Sequence, residues 1–260
     1  MGEFVQSFER GLAVIRSFTE SGATQTLSDV ARATGLSRAT ARRLVLTLEQ
    51  LGYVRARNGG FELTPKILEL GYAFLASFSV PQLALPYLEQ FSEEVNESSS
   101  VAVLDGANIV YVARVPANRV MTVSIGLGSR FPAYKTSLGR VLLASLGDAE
   151  VGAVWKQSDR SGATERTVKT LDELRRKLAE VREQGWALVD QELEVGVRSL
   201  AAPIRNGAGE TVAAVNVSTH ASRTDSDELM GRFLPALTRT ADAISLALGF
   251  HPVGAPRIGR

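Results

Sequence analysis

The chain has 260 residues, 45% of them hydrophobic, and a formal net charge of +1. That length fits one or two domains with a substantial core, and the near-neutral charge excludes an indiscriminate nucleic-acid binder. With no cysteine, disulfides, thiolate catalysis and cysteine-ligated zinc are excluded; with no leader pattern and no apolar run near the roughly 20 residues of a bilayer span, the expectation is a cytoplasmic chain without a membrane partner.

Residues 8–18 read as a first helix, with Phe8, Leu12, Ile15 and Phe18 on one face toward a three-helix core. A second helix starts at Thr26, which has capping-box spacing to Asp29, and turns Val30 and Ala33 inward. Gly35 can take the positive φ that ends this helix, Leu36 packs back into the corner, and Ser37 caps the next helix. There Ala41, Leu44, Val45, Leu48 and Leu51 recur at helical spacing as a buried stripe. The opposite face shows Arg38, Thr40, Arg42, Arg43 and Thr47. Arginine grips guanine or phosphate bidentately, and threonine bonds a base edge or touches a thymine methyl. With Ser37 at its start, this helix is the candidate reader of a DNA major groove. A solvated basic face on an ordinary helical hairpin is the alternative for this stretch alone.

The next dozen residues weigh against that alternative. Residues 53–57, the turn Asn58-Gly59-Gly60 and residues 61–63 read as strand, tight turn and strand. A hairpin directly after a recognition helix is a wing, and Arg55 and Arg57 can reach phosphate or the minor groove. The partner is therefore a double-stranded DNA operator, with affinity that comes from local arginines and falls steeply with salt.

Thr64-Pro65 starts a linker helix over residues 64–80. Its Ile67, Leu68, Gly71, Tyr72, Leu75 and Phe78 are too apolar for a free linker, and are expected to pack against a second copy of the chain. Pro81 and Pro86 punctuate the entry to a helix that ends near Asn96. Strands follow at 100–104 and 109–115, joined at Asp105-Gly106, and at 120–125. Residues 139–146 read as a helix, and Thr170 with Glu173 caps another that reaches Gln184. Strands at 185–189, 199–204 and 211–218 precede a final helix over 224–248, apolar at Leu229, Phe233, Leu237, Ile244 and Leu248. The fold class is mixed: a winged helix-turn-helix domain at 1–63, the linker helix at 64–80, an α+β domain at 81–250 and a flexible tail at 251–260.

The chain resembles the IclR family of bacterial transcription regulators from about Phe4 to Leu248. The likeness rests on the blocks that start at Phe4-Val-Gln-Ser-Phe, Ala41-Arg-Arg-Leu-Val, Ile109-Val-Tyr-Val-Ala, Phe131-Pro-Ala-Tyr-Lys and Val189-Asp-Gln-Glu-Leu. Within the family it is similar to the branch that controls protocatechuate, 4-hydroxybenzoate and β-ketoadipate metabolism. The resemblance implies a GAF-like C-terminal domain that binds a small organic acid, and a homodimer assembled as a dimer of dimers. It implies a pocket drawn from Tyr134, Thr136, Ser137 and Leu138, from Asp190 and Ser199, and from Asn216 and Ser218. Some members carry cysteine at the position of Ser199, so its absence implies a somewhat different ligand.

The residues agree in part. Ser137 precedes a helix whose terminal amides can hold a carboxylate. Asn216 and Ser218 share one face of a strand, although a satisfied core asparagine is the plain alternative. Arg114, Arg130 and Arg198 are candidate counter-charges, with surface or interface salt bridges as their other reading. Enzymatic signatures are missing: there is no HExxH, the only histidines are His220 and His251, and Gly126-Leu-Gly-Ser-Arg-Phe131 lacks the third glycine of a dinucleotide loop. Glu192 and Glu194 have no evident proton acceptor nearby, and no cofactor is expected. A constitutive DNA-binding protein with a structural C-terminal domain, or a small-molecule hydrolase fused to a DNA-binding head, are the alternatives to a ligand-responsive regulator.

Overall fold

The computed structural model describes residues 4–20, 24–70, 79–117 and 125–251. The chain divides into two compact units, Met1–Phe78 and Ser79–Arg260.

In the first unit α1 spans Gln6–Glu20, α2 Leu27–Thr34 and α3 Arg38–Gln50. Their boundaries follow from local chemistry. Thr26 Oγ1 accepts the Asp29 N–H at 3.2 Å while the Asp29 carboxylate accepts the Thr26 N–H at 3.1 Å, so two otherwise free donors are satisfied at the start of α2. Gly35 closes α2 at φ +66°, and Ser37 Oγ accepts the Thr40 N–H to open α3. Val14, Phe18, Val30, Ala41, Val45, Leu48 and Val54 form the core, with Ile15 and Leu44 packed against it.

Several expected core residues lie outside it. Phe8 and Leu12 are 69% and 41% exposed, because only the second half of α1, through Val14 and Phe18, meets the other helices. Leu51 is exposed because it follows the last turn of α3 as its C-cap. Ala33 is exposed, since Leu27, Val30 and Ala31 fill the inward face of α2.

Strands β1 (Val54–Arg57) and β2 (Gly60–Leu63) pair antiparallel around Asn58 and Gly59, whose φ angles of +51° and +77° are those of a type I′ turn. Gln25 adds an unforeseen bridge to Phe61, with both backbone N–H groups donating across it. The segment after the wing starts as a 3₁₀ turn at Pro65–Leu68 rather than an α-helix, with Thr64 Oγ1 accepting the Lys66 N–H. Residues 71–78 of the expected linker helix lie outside the described residues.

The second unit opens with α4, Val80–Val95. Pro86 sits inside this helix, not at its entry: Ala84, Leu88, Phe91 and Val95 bury one continuous face, which offsets the backbone bond that proline removes. Strands β3 (Ser98–Asp105), β4 (Asn108–Val115), β5 (Arg130–Pro132), β6 (Ala187–Asp190), β7 (Val197–Arg205) and β8 (Thr211–His220) form one sheet in the order β5-β4-β3-β8-β7-β6. Every pairing is antiparallel. Of the expected strand at 120–125, residues 120–124 lie outside the described residues and Ile125 is not in a strand.

Helices α5 (Ser137–Ala144), α6 (Asp148–Gln157) and α7 (Leu171–Gln184) follow β5, and α6 has no counterpart in the sequence-based expectation. Small Ala102, Ala201 and Ala214 on the sheet let α5 settle close, in one core with Leu138, Leu142, Leu174 and Leu178. On the opposite face Ser99 donates to the Leu88 carbonyl of α4. The final helix starts at Ser226, capped by Asp225, passes through one π turn at Leu229–Phe233 and continues as α8, Leu234–Ala247.

Candidate functional site

On the first unit, α3 turns Arg38, Arg42, Arg43 and Thr47 to solvent. Among the described residues none of these three arginines has a carboxylate partner, so their guanidinium groups are available to an outside anion. Thr40 Oγ1 lies 2.9 Å from Ser37 Oγ at the helix start, and Thr47 donates to the Arg43 carbonyl. The wing differs. Arg55 and Arg57 are exposed, yet both pair with Glu62 on the opposing strand, Arg57 at 3.2 Å. The hydrogen bond from Arg55 is the main reason that the Glu62 carboxyl titrates below its usual range. Lys66 donates to the carbonyl of Leu51 at 3.1 Å and lies over the Tyr53 ring, which ties the end of α3 to the base of the wing.

On the second unit a cavity of about 590 Å³ opens on the α5 face of the sheet. Its floor follows from strand register. Val189, Ser199, Ser218 and Ser98 stand in one row across β6, β7, β8 and β3. The next row carries Asn216, Ser100 and Arg114. Thr136, Ser137 and Leu138 cover it from the start of α5, and Leu193, Glu194 and Val197 from the loop before β7. Tyr111 and Phe131, edge to face with centroids 5.8 Å apart, form an apolar wall with Ile125.

The floor holds a cluster of polar groups. Ser137 Oγ and Ser199 Oγ are 2.6 Å apart, and Asn216 Nδ2 donates to Ser199 Oγ and to Ser218 Oγ, each at 3.0 Å. Ser218 Oγ lies 3.2 Å from Ser199 Oγ. Asn216 is 3% exposed and its Oδ1 is buried with no hydrogen-bond partner among the described residues. Arg114, half-buried, donates to Ser100 Oγ at 3.1 Å, and burial pushes its pKa down. At the far end Glu97 accepts from Thr219 and lies 3.7 Å from Arg223.

Arg114, Thr136, Ser137, Leu138, Ser199, Asn216 and Ser218 thus converge on one cavity. The other expected residues do not join them. Tyr134 is buried in the core, edge-on to Trp155 at 5.2 Å. Arg130 pairs with Asp105 at 2.6 Å on the exposed edge of the sheet. Asp190 and Arg198 bind each other at 2.6 Å, and Asp190 also pairs with Arg166. Each adjoins a residue that does line the cavity, Val189 or Ser199, and strand alternation sends it to the other side.

Sequence reasoning missed the walls from Tyr111, Ile125, Phe131, Leu193 and Val197. A β-bulge at Val101/Ala102 shifts the register against β4, so alternation along β4 does not reveal that Tyr111 and Arg114 share the cavity. Lys135 also lines it, but its Nζ donates to the carbonyls of Ser161 and Gly162.

Residues 7–57 match the IclR helix-turn-helix domain, and residues 72–246 match the bacterial transcriptional regulator IclR C-terminal domain. The chain is 41% identical over 236 residues to the Pca regulon regulatory protein of Pseudomonas putida, covering 90% of this chain and 81% of that protein. It is 32% identical over 248 residues to the p-hydroxybenzoate hydroxylase transcriptional activator of Acinetobacter baylyi, covering 93% and 91%. The crystal structure of a transcriptional regulator from Rhodococcus sp. RHA1 superimposes with a TM-score of 0.83 at 55% identity, covering 94% of this chain and 98% of that one. Both domain matches occur in order and together span most of the sequence, so this chain belongs to the IclR family of bacterial transcriptional regulators, DNA-binding proteins rather than enzymes.

Proposed function

We propose that this regulator reads its operator with α3 and the wing, and that a small organic acid of aromatic catabolism, of the protocatechuate or β-ketoadipate type, controls it from the cavity. Ser37, Arg38, Thr40, Arg42, Arg43 and Thr47 form the reading surface, with Arg55 and Arg57 flanking it. One observation carries the effector half: a cavity of about 590 Å³, walled by apolar side chains, holds a convergent polar floor and the Arg114 guanidinium. Small-molecule sites have this size and this mixture. The likeness to a Pca regulon regulator and to a p-hydroxybenzoate hydroxylase activator supports the ligand class.

The protein acts as a cytoplasmic homodimer, assembled into a dimer of dimers. Two heads must meet half-sites spaced by the roughly 34–36 Å of a DNA turn. An effector controls that spacing only through a difference in affinity between two arrangements. A thermal-shift screen of the full chain against aromatic acids and their ring-cleavage products tests this reading. A ligand at 100 times its dissociation constant adds about 2.7 kcal/mol of stability, a readily visible shift. Silence from every acid, with operator binding intact, favours a constitutive DNA-binding protein instead.

A further inference from the structure

The polar floor can be read proton by proton. Four contacts join three hydroxyls and one amide: Ser137–Ser199, Asn216–Ser199, Asn216–Ser218 and Ser218–Ser199. With Asn216 Nδ2 as double donor, Ser218 donates to Ser199, and Ser199, its two lone pairs filled, donates to Ser137. All four contacts then carry a proton. With the amide reversed, the protons of Ser199 and Ser218 both go to the asparagine oxygen, and the contact between these serines has none left. The first arrangement therefore stands, and it leaves two open valences: the buried acceptor Asn216 Oδ1, and the hydroxyl proton of Ser137, which is 1% exposed. A buried acceptor without a donor is costly, so the site is built for a group that donates to Asn216 and accepts from Ser137. A hydroxyl does both. A carboxylate or a ketone has no proton to give.

The cations in the lining are equally informative. Lys135 gives its protons to the carbonyls of Ser161 and Gly162, and Arg223 faces Glu97 at 3.7 Å. Arg114 has only the Ser100 hydroxyl, and it lies in the same cross-strand row as Asn216, two strands away. That separation is about 10 Å at the backbone, with Tyr111 and Phe131 beside it to cover an aromatic ring.

From this geometry we infer that Arg114 receives the carboxylate of the effector while Ser137 and Asn216 receive a ring hydroxyl, so that the cavity selects hydroxybenzoic acids over keto dicarboxylic acids. This rests on the acid-sensing reading above and narrows it to one of its two ligand types.

Isothermal titration of the full-length protein tests the inference, with 4-hydroxybenzoate, protocatechuate, benzoate, 4-methoxybenzoate, 4-hydroxybenzamide and β-ketoadipate as probes. The hydroxybenzoates bind. Loss of the hydroxyl, its methylation, or conversion of the acid to the amide each weakens binding about tenfold or more. In Arg114→Met the difference between acid and amide disappears, and in Asn216→Ala the difference between hydroxy and methoxy does. The ligand series on the unmodified chain is decisive even where a variant fails to fold. Tighter binding of β-ketoadipate than of any hydroxybenzoate overturns the inference and leaves acid sensing in place, as does an acid–amide difference that survives in Arg114→Met. If no acid binds a protein that still holds DNA, the acid-sensing reading itself falls and the inference with it.

Discussion

Arg140 and Glu192, fifty-two positions apart, form an ion pair with 1% and 10% of their side chains exposed. Arg140 also donates to the Tyr134 carbonyl, and Glu192 accepts the Val168 N–H. The pair thereby joins the helix that covers the cavity to the loop that supplies Leu193 and Glu194. Removal of one partner strands a buried charge, so Arg140→Met is expected to destabilise the protein by about 3–5 kcal/mol. The double variant Arg140→Met/Glu192→Leu should recover most of that loss. Urea unfolding of both proteins checks this; equal stability of the single and double variants would show that the charge pair is not what holds the loop.

Gly139 permits a close approach. A Cβ there would lie 2.1 Å from the Ala133 carbonyl oxygen, in the turn that carries Tyr134 and Thr136. Gly139→Ala must displace backbone, and should cost about 1–3 kcal/mol. It should also move Ser137 enough to weaken effector binding. A melting curve and a titration with 4-hydroxybenzoate read the two effects, and wild-type values in both would contradict the packing argument.

Glu62 competes with DNA for the wing. It holds Arg55 and Arg57 together, and each must share it with phosphate when the wing docks. Glu62→Gln is therefore expected to tighten operator binding and to steepen its salt dependence by about 0.9 in the log–log slope for each additional phosphate neutralised. Weaker binding would mean that Glu62 serves by aiming the arginines.

On α3, Arg43→Ala should weaken operator binding by about 1–3 kcal/mol if its guanidinium reads a base edge, with relaxed discrimination at one position. Effector affinity and the melting curve should be unchanged. Fluorescence anisotropy on the operator and on single-base variants measures both terms, and an unaltered operator affinity would move the reading surface elsewhere.

The edge pair Asp190–Arg198 makes a prediction about pH. Burial works to raise the Asp190 carboxyl, but hydrogen bonds from Arg198 and Gln191 and the charges of Arg198 and Arg166 outweigh it, and the net direction is down from 3.8. A lowered folded-state pKa means stability that is fully present above the unfolded value and is lost as pH falls through the folded one. The stability gap between the native chain and Asp190→Asn should thus close below pH 3.8. Acid titration of both proteins decides it, and a gap independent of pH would assign the difference to packing.

The sequence carries clear signals where the chemistry is local. Thr26, Asp29, Gly35, Ser37 and Asn58-Gly59 each act within a few residues, and the structure places their caps and turns where those signals point. Asn216 stands out as a polar residue in an apolar strand. Legibility fails where the outcome depends on distant partners. Nothing in residues 8–12 reveals that Phe8 and Leu12 stay outside the first unit's core, because that depends on where α2 and α3 sit. Arg130 and Arg198 look like Arg114 in sequence; Asp105 and Asp190, which neutralise them, are settled by strand pairing. Pro86 reads as a boundary until the buried face that spans it is known.

The order of the sheet also sets a timetable. Strand β3 lies between β4 and β8, so half of its edge waits for residues 214–218. The pairings of the winged head close within residues 25–63. During synthesis the DNA-reading surface is therefore complete roughly ten to thirty seconds before Asn216 and Ser218 can join the cavity floor. A nascent or prematurely ended chain would carry a reader without a sensor, and any repression it exerted would be deaf to the metabolite.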